Sequence, residues 1–298
     1  WQAADFCGGE ILTYAILSNH FHVLLGVPDR EETVVSDEEL MRRYRVLYPK
    51  PTKYQQAQVE VLEARLKEGG EAAVSLRERL LNRMGDVSEF MKTVKQRFSV
   101  WFNRSHGRYG TLWAERFKSV LVEPSPVAMK TVAAYIDLNP IRAGLVEDPK
   151  DYRWSGYGEA IGGEAKARGG ICRILGIGDW SAAQSDYRMI LYGKGATRSG
   201  EGGSQLSHEA VRAELKRKGQ LPMAVALRCR VKYFTDGAVL GSQRFVAEWI
   251  EKRDFDRARK RPPKPKSMVG ANWGGLAVLR QSRDPIVGNG PSSVAAGK

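Results

Sequence analysis

Two imidazoles separated by one residue, His20-Phe21-His22, are the sharpest chemical feature of this sequence. On a strand, residues i and i+2 point to one face, so both imidazoles project together while Phe21 turns to the opposite, apolar side. Such a pair is half of a divalent-metal site. Taken alone, it fits a metal half-site and a pair of surface histidines equally well. A second feature is a helix predicted over Ser125 to Leu138, with Ser125 as N-cap, Pro126 as its first residue and Asn139-Pro140 as its stop. Its apolar stripe is Met129, Val132, Ala133 and Ile136. Tyr135 lies outside that stripe and shares its flank with Thr131 and, at i+4, with Asn139, which sets a phenol and an amide oxygen one above the other. Tyrosines in such places ordinarily bury the ring and wet the hydroxyl. Opposite a metal, the same hydroxyl would be an activated nucleophile.

The elements that must position these groups follow from the flanking pattern. Glu10 to Leu17 and His20 to Val27, joined at Ser18-Asn19, read as a tight antiparallel hairpin ended by Pro28. Trp1 to Cys7 reads as the end of a helix closed by Gly8-Gly9. From Ser36 to Met84 the pattern is helical, broken at Gly69-Gly70, and charged enough to be an insertion standing off the core. A helix is predicted over Val87 to Phe102 with Phe90, Val94, Phe98 and Trp101 as its stripe and Lys92, Lys95 and Arg97 away from it. A loop over Asn103 to Gly110 leads to a strand within Thr111 to Glu123, built on the β-rich run Phe117 to Val122. Residues 158–206 read as a Gly-rich connector, 207–284 as a basic and mostly helical extension with a Pro-containing linker at Arg257 to Lys266, and 285–298 as a disordered tail.

Charge narrows the partner. The chain of 298 residues carries a net +13, with a pI of about 9.7. Residues 201–298 hold 19 Lys and Arg against 9 Asp and Glu, which accounts for +10. A second concentration, Met91 to Lys118, sets 7 basic residues against 1 acidic one, interleaved with Phe98, Trp101, Phe102, Tyr109, Trp113 and Phe117. Basic residues mixed with aromatics suit a polyanion whose bases can stack; the plainer alternative is a solvated basic surface. Lys95, Arg97, Arg104, Arg108, Arg116 and Lys118 are the candidate phosphate contacts and Trp113 the candidate stacking residue. His106, in the basic loop, suits phosphate or solvent better than metal. Three widely spaced cysteines, Cys7, Cys172 and Cys229, form no CxxC pair and fit a reducing, cytoplasmic compartment. No membrane partner is expected, because the most apolar stretch, Ile11 to Val27, is interrupted by Ser18, Asn19, His20 and His22.

Several separated blocks occur in an order that is itself informative: Tyr14 to Leu25, around Leu17-Ser18-Asn19-His20-Phe21-His22; Phe102-Asn103-Arg104-Ser105-His106-Gly107; Leu112-Trp113; Arg116-Phe117-Lys118-Ser119; and Tyr135-Ile136-Asp137-Leu138-Asn139-Pro140-Ile141-Arg142-Ala143-Gly144-Leu145-Val146. Together with Tyr152-Arg153-Trp154-Ser155 they resemble the REP-associated tyrosine transposases, members of the HUH class of single-strand DNA transposases. The resemblance covers roughly 10–157, and Tyr233-Phe234-Thr235-Asp236-Gly237 is similar to extensions on some members. It implies a ferredoxin-like α+β fold, an antiparallel sheet with helices on one face. Its catalytic domain would cover 1–157, with a helical insertion at 36–84 and a basic C-terminal extension. Family members carry a further strand and helix before the block that opens this chain, so the first strand of the sheet is expected to be missing here. The resemblance further implies that His20 and His22 are ligands for Mg²⁺ or Mn²⁺, that Asn139 is a third metal contact, and that Tyr135 is the nucleophile. The implied reaction nicks single-stranded or hairpin DNA through a 5′-phosphotyrosine, in a cytoplasmic, nucleoid-associated setting. Two alternatives stand beside it. One is a catalytically inactive DNA-binding remnant; the other is an RNA-associated basic protein, which explains the charge and not the histidine pair with Tyr135.

Overall fold

The computed structural model describes residues 1–28, 35–195, 234, 239–252, 263–268 and 273–279. The fold is mixed α and β, and among the described residues no helix is long and apolar enough to cross a membrane. The chain divides into two compact units, one of residues 1–11 and 25–117, the other of residues 12–24 and the described residues from 118 on.

The first unit is helical. Helix α1 (Gln2–Cys7) ends at Gly8, whose φ of 69° is the left-handed cap conformation. Helices α2 (Asp37–Val46), α3 (Lys53–Glu68), α4 (Gly70–Leu81) and α5 (Val87–Ser105) follow. Their starts are set by local chemistry: Ser36 caps α2, a reciprocal Thr52–Gln55 box caps α3, and Asp86 caps α5. The segment 36–84 thus holds three helices, with a break at 47–52 besides the one foreseen at Gly69-Gly70, and it shares a core with α1 and α5. Leu40, Tyr44 and Leu47 of the α2 segment are buried together with Phe6 of α1, Leu76 and Leu80 of α4 and Phe90 of α5. Ion pairs such as the two-pronged Arg77–Asp37 contact lie outside this core.

The second unit holds the four-stranded sheet and most of a two-stranded hairpin. Strands β1 (Glu10–Ile16) and β2 (Phe21–Gly26) form the expected hairpin, closed by the Leu17 N–H donating to the His20 carbonyl at 2.8 Å. The far edge of β1 is used as well: Ile16 N–H donates to the Trp154 carbonyl, and Ala15 bridges Ser155. A separate four-stranded sheet runs β3 (Leu121–Val122), β4 (Val239–Ser242), β6 (Leu276–Leu279), β5 (Lys266–Ser267), with β3 parallel to β4 and the other neighbours antiparallel. Helix α6 (Pro126–Asp137) and the single turn α7 (Asn139–Arg142) follow β3.

Three sequence expectations change. The strand foreseen in 111–123 shrinks to Leu121–Val122, because α5 takes over the preceding segment: Lys95 Nζ donates to the Glu115 carbonyl and the Trp113 indole donates to Ser99 Oγ. The connector 158–206 is, as far as residue 195, helical. Helices α8 (Gly156–Ile161), α9 (Ala165–Leu175) and α10 (Trp180–Gly195) bury Tyr157, Ala167, Ile171, Ile174, Tyr187 and Leu191, at helical spacings that the glycines mask. The extension expected to be mostly helical contributes β4, β5 and β6 beside α11 (Gln243–Lys252), with Val239, Leu240, Val246 and Val278 fully buried. His208, Cys229, Tyr233, most of the basic linker and the tail 285–298 lie outside the described residues.

Candidate functional site

The site is assembled on a buried carboxylate. Asp137, the last residue of α6, accepts hydrogen bonds from Thr13 Oγ1 of β1 at 2.8 Å, from the Tyr187 hydroxyl of α10 at 2.5 Å, and from the Tyr157 backbone N–H at 3.2 Å. Burial raises its pKa to about 6 against the pull of those three donors. The network locks α6 to the strand that pairs with β2. Glycine is required where the chain crosses β1: a Cβ on Gly156 would lie 2.3 Å from Thr13 Oγ1. Tyr135 lies two residues before Asp137 and inherits that registration.

From β2 come the histidines. Regular strand geometry begins at Phe21, so His20 sits in the turn and not on the strand as foreseen, exposed, with Nδ1 2.6 Å from Asn19 Oδ1. The two imidazoles nevertheless converge, their ring centroids 5.1 Å apart and nearly perpendicular. The His22 ring lies 5.6 Å from that of Tyr135. Residues more than a hundred positions apart in the sequence thus meet at one place.

Tyr135 is 3% exposed, more deeply placed than a flank residue with a wetted hydroxyl. Its ring is stacked on Phe234, centroids 4.4 Å apart, and the Arg142 guanidinium carbon stands 4.5 Å from the ring centre. Burial raises the phenol's pKa, while the Arg142 charge and hydrogen bonds from Asn139 and Arg142 oppose the rise. Burial also pushes His22 down to about 4, helped by repulsion from His20 and Arg142. At neutral pH His22 is therefore uncharged, with a ring nitrogen lone pair to give to a metal or to a donor. Arg142, itself half-buried, stays a cation.

Asn139 sits just beyond the end of α6. Its amide nitrogen donates to the Tyr135 carbonyl at 2.8 Å and to the Ile136 carbonyl at 3.4 Å, which leaves Oδ1 as its only group for a cation. Among the described residues no cluster of three or more His, Cys, Asp or Glu side chains is arranged to hold a metal. By donor chemistry alone, two imidazoles and one amide oxygen could serve a divalent ion without a carboxylate. They suit Mn²⁺ better than Mg²⁺, since imidazole is a softer donor than the oxygens Mg²⁺ prefers.

The basic candidates separate into two groups. Arg104, Arg108, Arg116 and Lys118 are exposed. Lys95 and Arg97 are engaged internally: Lys95 with the Glu115 carbonyl and the Trp113 face, Arg97 with Gln2 Oε1 and the Tyr48 face. Trp113 is half-buried, with its indole N–H bound to Ser99 Oγ and the Lys95 carbonyl. His106 stacks on Phe102 at 4.0 Å with Nδ1 2.9 Å from the Phe102 carbonyl, so it caps α5 while staying exposed.

Sequence reasoning gave no role to Asp137, Arg142 or Phe234. Asp137 was visible in principle, as an acid at i+4 from Ala133 on the side of the buried stripe. Phe234 carried no local signal, because only the tertiary fold brings it to Tyr135. Comparison with protein-family models, with curated proteins and with solved structures finds no match to this chain.

Proposed function

We propose that the protein is a divalent-metal-dependent DNA nickase and strand transferase of the HUH type, acting on single-stranded or hairpin DNA with Tyr135 as nucleophile. The observation that carries the reading is the succession of His20, His22 and Tyr135, with ring centroids 5.1 Å apart for the two imidazoles and 5.6 Å apart for His22 and Tyr135, and with Arg142 and Asn139 against Tyr135. A ferredoxin-like sheet of this reading would use β1, β2 and β3; in the structure the hairpin and β3 belong to separate sheets.

In the proposed reaction Tyr135 Oη attacks the scissile phosphorus in line with the 3′ oxygen. The Oη–P bond forms as the P–O3′ bond breaks, the phenolic proton leaves to water and the departing oxygen takes one up. The products are a 5′-phosphotyrosine and a free 3′-hydroxyl, so the phosphodiester is conserved and can be resealed. Arg142 supplies a fixed positive charge beside the attacking oxygen, where negative charge builds in the transition state. Asn139 and Arg142 together orient the hydroxyl. His20 and His22 through ring nitrogens and Asn139 through Oδ1 would hold the cation, which when bound polarises the phosphate as a Lewis acid.

The test is nicking of a labelled hairpin oligonucleotide with Mn²⁺ or Mg²⁺. His20→Ala and His22→Ala are expected to lose cleavage severely, with rescue at best partial at raised metal, and Asn139→Ala to lose less, since water can replace one oxygen donor. Cleavage that persists in chelator with both histidines replaced would end the reading.

A second reading, a DNA-binding chain that no longer cleaves, is favoured by one observation: Phe234 lies flat on the Tyr135 ring. In the catalytic reading Phe234 must move for DNA to reach the hydroxyl. Phe234→Ala is then expected to speed covalent capture of DNA, whereas in a chain without catalysis it changes nothing.

A further inference from the structure

Helix α5 begins as a core helix and ends as something else. Phe90 and Thr93 are buried, but two turns on Phe98 is 42% and Trp101 56% exposed, although the stripe they continue is apolar. These rings do not lie scattered. Phe98 is 5.5 Å from Trp101, 5.8 Å from Phe102 and 5.7 Å from Trp113, and Phe102 carries the His106 ring at 4.0 Å. A contiguous aromatic surface of this kind marks an interaction site, where single exposed apolar residues would need no explanation.

Charge decides what the ridge suits. Arg108 stands over the Phe102 ring at 6.0 Å, Arg104 is exposed in the last turn of the same helix, and Glu115 is the single acid in 91–118. A second copy of this chain would bring a like-charged rim and a net +13 against it. A polyanion with exposed flat bases satisfies rings and arginines together, whereas a duplex hides its base faces.

We propose that the ridge of Phe98, Trp101 and Phe102 is a stacking platform for unpaired bases of single-stranded nucleic acid, with Arg104 and Arg108 holding the backbone. The aromatic contact thus lies on Trp101 and Phe98, not on Trp113, whose indole N–H is occupied within the unit. This rests on the nucleic-acid half of the reading above and is independent of chemistry at Tyr135.

Full-length protein carrying Tyr135→Phe, which forms no covalent adduct in that reading, is titrated with oligothymidine of about 20 nucleotides, enough to span a single-strand site, and with a duplex of similar length. Trp101→Ala and Phe98→Ala are each expected to weaken oligothymidine binding about five- to a hundredfold, with Trp101→Tyr restoring most of it and duplex binding changed far less. Val100→Ala, exposed on the opposite side of the helix, is expected to leave affinity unchanged. Thermal unfolding of Trp101→Ala should match the parent, since the ring is largely in water. Unchanged oligothymidine affinity in both ring variants overturns the platform alone, and a shift in their sedimentation at that unchanged affinity assigns the ridge to a second copy. A parent that binds no single strand at all overturns the platform together with the nucleic-acid reading.

Discussion

Tyr135 and Trp101 are both aromatic residues on long helices, and the chain treats them in opposite ways. Around Tyr135 the packing is closed. Its ring is covered by Phe234, and the buried Asp137 below it has three donors from three different elements. Around Trp101 the ring is largely open to water, edged only by the rings of Phe98, Phe102 and His106 among its described ring neighbours. The proposed reaction would need a nucleophile, a cation and donors held to a fraction of an ångström, and the closed packing of the first region fits that demand. Binding of a strand irrespective of its sequence needs only flat faces and positive charge. If that contrast is right, substitutions in the first region should cost stability and those in the second should cost affinity.

The largest effect is expected at Asp137. Asp137→Ala strands the Thr13 and Tyr187 hydroxyls and the Tyr157 N–H inside the protein, and should destabilise the second unit by about 3 kcal/mol or more. Amide hydrogen exchange should locate the loss in β1, α6 and α8 and spare α2 to α4; uniform loss would mean that the network is not local. Gly156→Ala comes next. Its methyl would fall 2.3 Å from Thr13 Oγ1 and 3.0 Å from Thr13 Cα, so β1 or α8 must shift, at about 1–3 kcal/mol by denaturant unfolding.

The smallest effect belongs to the exposed ion pairs of the first unit. Hydrogen bonds from Arg42 and Arg43 hold Glu39 down at about 2 from an ordinary 4.5. A carboxylate depressed in this way stabilises the fold above its unfolded pKa and loses that contribution as pH falls towards 2. Because the pair is screened by water, Glu39→Gln should cost less than about 1 kcal/mol at neutral pH, and nothing once the parent's Glu39 is protonated. A cost at neutral pH that rivals that of Asp137→Ala would mean that an exposed ion pair holds the fold as firmly as the buried network does.

How much of this the sequence disclosed follows from the range of each interaction. The hairpin, the Ser125 cap, the stop after Leu138 and the helices of 36–84 depend on neighbours within a few residues, and they were legible. The meeting of His20, His22 and Tyr135 was expected from resemblance and not from spacing, since no local pattern relates residues so far apart. The helices of 165–195 were hidden by Gly169, Gly170, Gly176 and Gly178, although Ala167, Ile171 and Ile174 keep helical intervals. The engagement of Lys95 and Arg97 was illegible for another reason. A basic residue looks the same in sequence whether it faces phosphate or, as here, a carbonyl and an aromatic face in its own unit.

The nucleophile is the central claim, and a covalent trap tests it most directly. The full chain is incubated with a hairpin oligonucleotide labelled at its 3′ end and Mn²⁺, denatured, digested, and the labelled peptide sequenced. The label is expected on the peptide containing Tyr135, released by no reducing agent, absent in chelator and absent in Tyr135→Phe, which should still bind the hairpin. A labelled adduct that survives in Tyr135→Phe, or one that maps to another residue, would contradict the assignment of Tyr135.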